Sequence, residues 1–203
     1  MIRNIVFDMG NVLIDYQPME YTQRFFPEPS EANLVCKELF DGPEWPLLDQ
    51  GAIAPQTALL QICSRLPEAL RARTEELFLH WFDQLTAIPE TNALGKQLKE
   101  KGYRLYILSN AASSFHQYCS CIPIFPLLDG YIVSADEKLV KPDPAIYRLL
   151  CERYHLLPEE CFFIDDRLEN IEAAKRLGMA VHQYQMDMDA LHMALHKAGI
   201  ALE

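Results

Sequence analysis

Apolar positions along this chain follow two rhythms. Ile5-Val6-Phe7 is a short unbroken apolar run, β-branched and too short for a helix, and it predicts a buried strand over residues 2–7. Asp8 closes the run. Gly10 follows, where the backbone can turn tightly and approach a neighbour closely. Residues 16–88 then change character. Pro18, Pro27, Pro29, Pro43, Pro46, Pro55 and Pro67 punctuate segments with helical apolar spacing. Leu34, Leu39 and Phe40 make one such segment. Ala58, Leu59, Ile62 and Leu66 make a second, and Leu70, Leu77, Phe78, Trp81, Phe82 and Leu85 a third. This stretch predicts a small helical insert without strands.

From Pro89 onward the two rhythms alternate. Pro89 starts a helix that Gly102 stops. Arg104–Leu108 reads as a strand ending in Ser109-Asn110, and Tyr131–Val133 as a strand ending in Ser134. Pro144 opens a helix bearing Ile146, Leu149 and Leu150. Cys161–Ile164 reads as a strand ending in Asp165-Asp166, followed by a helix over 168–177 and a stop at Gly178. Ala180–His182 predicts a last strand, and residues 187–198 a last helix. Strands alternating with helices predict an α/β fold with a parallel sheet and right-handed crossovers. The carboxyl ends of parallel strands face one crevice, so Asp8, Ser109, Ser134 and Asp165 are expected there together.

Length and charge narrow the picture. The chain has 203 residues, enough for one large domain or for a core with a small insert. Its 18 basic and 29 acidic side chains give a net charge of -11, which argues against nucleic acid or an anionic membrane as partner. A phosphate would be repelled unless cations or a metal reverse the sign locally. No apolar run is long enough for a membrane helix, and no basic, apolar leader precedes the first strand. A cytoplasmic protein, monomeric or a weak homodimer, is expected. The six cysteines are scattered and read as buried small hydrophobes; Cys119-x-Cys121 lacks a second pair to complete a zinc site.

The chemistry follows from residue type. Asp8, Asp165 and Asp166 are hard oxygen donors, suited to Mg²⁺ rather than zinc. Without a cation, three carboxylates in one crevice repel one another and raise one another's pKa. Ser109 and the backbone N–H of Asn110 can bond phosphoryl oxygens, Lys141 adds a point charge, and Asp8 can attack phosphorus.

Four stretches, in order and each at a strand end or helix start, resemble the haloacid dehalogenase-like hydrolases. They are Phe7-Asp8-Met9-Gly10-Asn11-Val12-Leu13, Leu108-Ser109-Asn110, Lys141 within Lys141-Pro142-Asp143-Pro144, and Ile164-Asp165-Asp166-Arg167-Leu168-Glu169-Asn170-Ile171. The resemblance spans nearly the whole chain. It implies a Rossmann-like parallel sheet core over 1–15 and 89–203, with a small helical cap inserted at 16–88. It implies a Mg²⁺-dependent phosphatase acting on a small phosphorylated metabolite through an aspartyl-phosphate. By the resemblance Asp8 is the nucleophile and a metal ligand, Gly10 binds the metal through its carbonyl, Asp166 binds it directly, and Asp165 binds it directly or through water. Ser109, Asn110 and Lys141 would hold the phosphoryl group, with Ser109 and Lys141 catalytic beside Asp8, and Asn170 would orient a neighbour such as Lys141.

One position departs from the pattern. Most phosphatases of the family carry a second aspartate two residues after the nucleophile, to protonate the leaving group and then activate water. Gly10 stands there. A subset of sugar-phosphate phosphatases in the family has a similar Gly-Asn-Val. An anomeric sugar phosphate such as a hexose 1-phosphate, with its better leaving group, needs that acid less. This favours a sugar phosphate as substrate.

The insert should set specificity. Trp45, Leu48, Asp49, Gln50 and Gly51 form a turn-like stretch that reads first as a solvated loop and, as the alternative, as one from which Asp49 or Gln50 contacts a sugar hydroxyl; Tyr16 is a hinge, a pocket wall or simple packing. His192 and His196 stand four apart without a third ligand, His116 reads as a surface histidine, and Met186, Met188 and Met193 as core filling. Competing readings are a haloacid dehalogenase, against which the paired acids Asp165-Asp166 speak; a sugar-phosphate mutase, against which Gly10 speaks; and a phospho-ligand binding protein without turnover.

Overall fold

A computed structural model describes residues 1–202. Strand β1 (Asn4–Phe7) leads to the short β2 (Ile14–Asp15). Helices α1 (Pro18–Phe25), α2 (Pro29–Leu39), α3 (Glu44–Asp49), α4 (Pro55–Arg65) and α5 (Glu68–His80) follow, then β3 (Thr86–Ala87). The remainder runs α6 (Pro89–Glu100), β4 (Arg104–Ser109), α7 (Phe115–Tyr118), β5 (Gly130–Val133), α8 (Ser134–Glu137), α9 (Pro144–Tyr154), β6 (Cys161–Asp165), α10 (Leu168–Arg176), β7 (Ala180–Gln183) and α11 (Met188–Lys197). Proline opens α1, α2, α4, α6 and α9, where its missing N–H has no helical partner to lose.

The α/β expectation holds. Five strands form one parallel sheet in the order β5-β4-β1-β6-β7, with Phe7 opposite both Ile107 and Ile164. Central β1 is covered on both faces, which is why its apolar run does not alternate. Its side chains still point to opposite faces. Ile5 and Phe7 join one core with Leu105, Ile107, Phe162 and Ile164. Val6 joins a second with Tyr106, Leu108, Phe163 and the α9 residues Ile146, Tyr147 and Leu150. The first core continues through α6 and α11 into the helical stretch, where Val35, Leu39, Ile62 and Leu77 belong to the same cluster.

Two expectations change. Residues 16–88 are not free of strand: Thr86 pairs with Asp15 and Ala87 with Ile14 in an antiparallel ribbon where the chain enters and leaves the helices. Asn92 Nδ2 donates to Leu13 O at 2.8 Å and steadies this ribbon. Two residues per strand are too few to show a period of two. Two of the three methionines also differ, while Met188 packs against the core as expected. Met186 is 57% exposed in a turn at positive φ, and Met193 is 74% exposed on the outer side of α11, whose inner side buries Leu191 and Leu195. No helix among the described residues is long and apolar enough to cross a membrane.

Candidate active site

Asp8, Lys141 and Asp165 meet where the central strands end. Asp8 follows β1, and its backbone N–H donates to Ile164 O at 2.8 Å, which locks it beside β6. Asp165 ends β6 and is fully buried. Lys141 arrives from the loop between α8 and α9. Its Nζ lies 2.8 Å from Asp8 Oδ1 and 2.7 Å from Asp165 Oδ2, with only 1% of the side chain exposed. One buried cation thus serves two carboxylates.

The sequence between β1 and β2 folds back on the same cluster. Met9 N–H donates to Asp8 Oδ1 at 2.7 Å. Asn11 takes φ 55, a left-handed conformation that asparagine tolerates better than most residues. In that turn Asn11 Nδ2 donates to Asp166 Oδ2 at 3.2 Å, while its Oδ1 accepts from Tyr16 N–H at 3.1 Å. Gly10 needs no such freedom: its φ is not left-handed, and a Cβ there would meet Tyr16 Cβ at an ordinary 3.9 Å.

Protein donors saturate Asp165. Arg167 N–H reaches its Oδ1 at 2.8 Å, Asn170 Nδ2 reaches both oxygens at 3.0 Å, and Lys141 takes Oδ2. Asn170 therefore orients Asp165, and through it Lys141. The bonds to Asp8 and Asp166 engage Asp8 Oδ1 and Asp166 Oδ2.

Electrostatics record the crowding. Burial pushes Asp8 up to about 7, with the charge of Asp165 adding to it, against the pull of Lys141 and the Met9 amide. Burial raises Asp166 as well, and Asp165 adds to that. Burial by itself would lower Lys141, but Asp165 and Asp8 outweigh it and hold the ammonium above its ordinary value. Ligand atoms of Asp8, Asp165 and Asp166 all lie within 4.8 Å of one another. Three hard oxygen donors at that spacing fit a divalent cation such as Mg²⁺, and they are crowded enough for one to relieve their repulsion.

The cluster opens into a cavity of about 250 Å³. Asp8, Gly10, Asn11, Asn110, Lys141 and Asp166 line its floor side, and Tyr16, Phe40, Trp45, Trp81 and Tyr118 supply aromatic walls. Trp81 is the hub of those walls, with ring centroids 5.4 Å from Trp45, 5.6 Å from Tyr118, 5.9 Å from Tyr16 and 6.2 Å from Phe40.

Asp49 lines the cavity; Gln50, Ser109 and Asp165 do not. Ser109 is buried at the end of β4, next to Asn110, and Asp165 lies behind the floor. Asn110 bonds the Lys141 backbone rather than facing outward with its amide. His116 pairs with Asp136 at 2.9 Å on the surface. Sequence reasoning missed Asn11 as a partner of Asp166, although asparagine after glycine at a strand end is a turn signal. It also missed Phe40 and Trp81 as walls, because aromatic residues at helical spacing read as core, and it did not single out Tyr118.

Comparison with known proteins shows the family. The family model for haloacid dehalogenase-like hydrolases matches residues 2–178. The chain is 30% identical over 181 residues to the sesquiterpene phosphatase AstK of Aspergillus oryzae, covering 86% of this chain and 85% of that one. It is 27% identical over 201 residues to the D-ribitol-5-phosphate phosphatase of Bacteroides thetaiotaomicron, covering 93% and 95%. A crystal structure of a haloacid dehalogenase family enzyme from the same bacterium, in complex with magnesium and inorganic phosphate, superposes with a TM-score of 0.71 at 24% identity, covering 95% of this chain and 99% of that one. From its buried acid cluster at the strand ends to its family match, this chain belongs to the haloacid dehalogenase-like hydrolases.

Proposed function

We propose that the protein is a Mg²⁺-dependent phosphatase of small phosphorylated metabolites, working through an aspartyl-phosphate on Asp8. The observation that carries this reading is the bridge from Lys141 to Asp8 and Asp165 inside a three-carboxylate cluster at the cavity floor. Asp8, Asp166 and the Gly10 carbonyl would hold the cation, with Asp165, saturated by protein donors, ordering them. When bound, Mg²⁺ supplies positive charge against the phosphoryl oxygens and lowers the repulsion among the acids. Asp8 then attacks phosphorus as a carboxylate. Lys141 and the Asn110 backbone N–H hold the phosphoryl oxygens and keep attack in line, and the buried Ser109 carries Asn110 into place at the end of β4. Water later cleaves the acyl phosphate and regenerates Asp8.

The residues 16–88 act in this reading as a cap that closes the cavity from above and selects the leaving group. A sugar phosphate is the favoured class. The cavity, about 250 Å³, falls short of the roughly 300–1,000 Å³ that drug-sized ligands occupy. Aromatic walls suit the C–H faces of a sugar, and Asp49 offers a polar contact for a hydroxyl. The same walls favour, as a second reading, a small prenyl phosphate; here the likeness to a sesquiterpene phosphatase is the supporting observation. The acid pair Asp165-Asp166 speaks against carbon–halogen hydrolysis.

The test is phosphate release from hexose 1-phosphates, pentitol 5-phosphates and prenyl phosphates, each with Mg²⁺ and with EDTA. Metal-dependent release from sugar phosphates is expected. Release confined to prenyl phosphates selects the second reading, and no release from any of them overturns the phosphatase.

A further inference from the structure

Gly10 stands where the resemblance would put a second aspartate, yet neither its φ nor the room for a Cβ demands a glycine there. A phosphate monoester with an alkyl leaving group needs a proton donor, worth typically ~10²–10⁴ in rate. The donor must line the cavity without belonging to the cation cluster. Asp8, Asp49 and Asp166 are the carboxylates that line it, and Asp8 and Asp166 belong to the cluster.

Three contacts build Asp49 into this position. Its backbone carbonyl accepts the hydroxyl of Ser134, the first residue of α8. Ser134 Oγ in turn accepts from Ala111 N–H at 2.9 Å, beside the cavity. Two residues on, Gly51 takes φ +65, and a Cβ there would lie 2.3 Å from Ala135 O, so the turn rests directly on the start of α8. Asp49 shares the cavity lining with Tyr16, Tyr118, Ala112 and Arg167.

Resting on the phosphatase reading, we propose that Asp49 is the general acid and base that replaces the absent aspartate at Gly10. In the first half-reaction an Asp8 oxygen bonds phosphorus, the ester P–O bond breaks, and the leaving oxygen takes the proton of the Asp49 carboxylic acid. In the second, the Asp49 carboxylate takes a proton from water, the water oxygen bonds phosphorus, and the bond to Asp8 breaks. Asp49 ends protonated, ready for the next turn. Burial pushes its carboxyl up to about 7, against the pull of the Ala112 amide and Arg167, which suits a group that must hold a proton at neutral pH and release it. The other charges on the elements packed around it are engaged: Asp136 with His116, Glu137 with Arg153, and Arg65 with Glu38 and Glu44.

The experiment compares wild type and Asp49→Asn, with Mg²⁺, on p-nitrophenyl phosphate and on the best alkyl or sugar phosphate found above. A nitrophenolate leaving group needs no acid. The variant is expected to release it in a stoichiometric burst, then turn over slowly for want of a base. On the alkyl phosphate the burst is expected to vanish and kcat to fall by ~10²–10⁴. The falling limb of the wild-type kcat/KM profile near neutral pH should disappear in the variant. Adding Gly10→Asp to Asp49→Asn and regaining alkyl turnover supports the assignment, since a structural defect at Asp49 would not be repaired from position 10. Equal, modest losses on both substrates with an unchanged pH profile, or a change in KM alone, overturn it. A wild-type enzyme inert on every phosphate is the distinct result that overturns the phosphatase reading and the proposal with it.

Discussion

Asn110 and Lys141 hold each other twice: the Asn110 side-chain amide donates to Lys141 O at 2.9 Å, and the Lys141 N–H donates to Asn110 Oδ1 at 2.8 Å. This pair of bonds ties the end of β4 to the loop that carries the buried cation. Replacing Asn110 by Ala frees that loop while leaving every charge in place. Activity is expected to fall about 10- to 100-fold, the usual cost of losing a partner that orients a reactive group. Steady-state phosphate release on Asn110→Ala and Asn110→Asp checks this, since aspartate keeps an acceptor for Lys141 N–H but no donor for its carbonyl. Equal activity in all three proteins would show that Lys141 is held by its ion pairs alone.

Asp8→Asn removes the attacking carboxylate and keeps its shape. Lys141 retains Asp165 at 2.7 Å, so the fold should survive. Turnover is expected to fall on the order of 10³-fold or more, with the melting curve little changed. Survival of more than a few per cent of activity in a normally folded variant excludes Asp8 as nucleophile.

Lys141 and a bound cation do overlapping work on the acids. Lys141→Ala leaves the buried carboxylates without their counter-ion and is expected to cost about 3–5 kcal/mol in chelator. Mg²⁺ should recover part of that loss, and shift the melting temperature of the variant more than that of wild type. Thermal melts with and without EDTA read this out; identical metal shifts in both proteins would mean that the cation does not sit among these acids. In wild type, EDTA should silence the enzyme and Mg²⁺ restore it.

Arg65 gathers three helices of the stretch above the cavity. It bonds Glu44 with both terminal nitrogens, at 2.8 and 2.7 Å, and Glu38 through Nε at 2.6 Å. The Arg65 bonds hold the buried Glu44 carboxyl below its ordinary 4.5, against the effect of burial. A depressed carboxylate contributes stability that is fully present above its unfolded pKa and lost as pH falls through its folded one. The wild-type melting temperature should therefore drop below about pH 4.5, and Glu44→Gln should flatten that part of the curve while costing about 1–3 kcal/mol at pH 7. Stability measured by urea unfolding across pH 3–7 is the check. A parallel acid limb in both proteins would assign it to other carboxylates.

Gly51→Ala tests the seat of Asp49. An alanine at φ +65 costs of order 1–3 kcal/mol of local strain, and its Cβ would strike Ala135 O. The turn should lift, and activity should fall further than global stability. A variant with wild-type kcat would show that the turn can shift without moving Asp49 from its place.

Much of the acid floor is legible along the chain because a parallel sheet converts order in sequence into convergence in space. Asp8, Asn110 and Asp165 each stand at the end of an apolar run, and the ends of β1, β4 and β6 come together whatever lies between them. Lys141 is readable as a point charge for a phosphoryl group, but nothing in a loop lysine says that it will be buried against two acids. Ser109 illustrates a limit: its position at a strand end is readable, but whether its hydroxyl faces the cavity depends on the twist of the strand. Phe40 and Trp81 were hidden for a different reason. A ring that lines a cavity and a ring that fills a core follow the same helical spacing.

By itself the sequence determined the alternation of strands and helices, and so the parallel sheet with its acidic crevice, because period and strand-end chemistry are local properties. Tertiary structure alone decided how the helical insert meets that crevice. Asp49 reaches the cavity because the Ser134 hydroxyl, 85 residues away, clasps its carbonyl, and because Gly51 lets two backbones touch. Such contacts depend on how one packed body settles on another. No local pattern encodes that, since it follows from the sum of many side-chain fits across both.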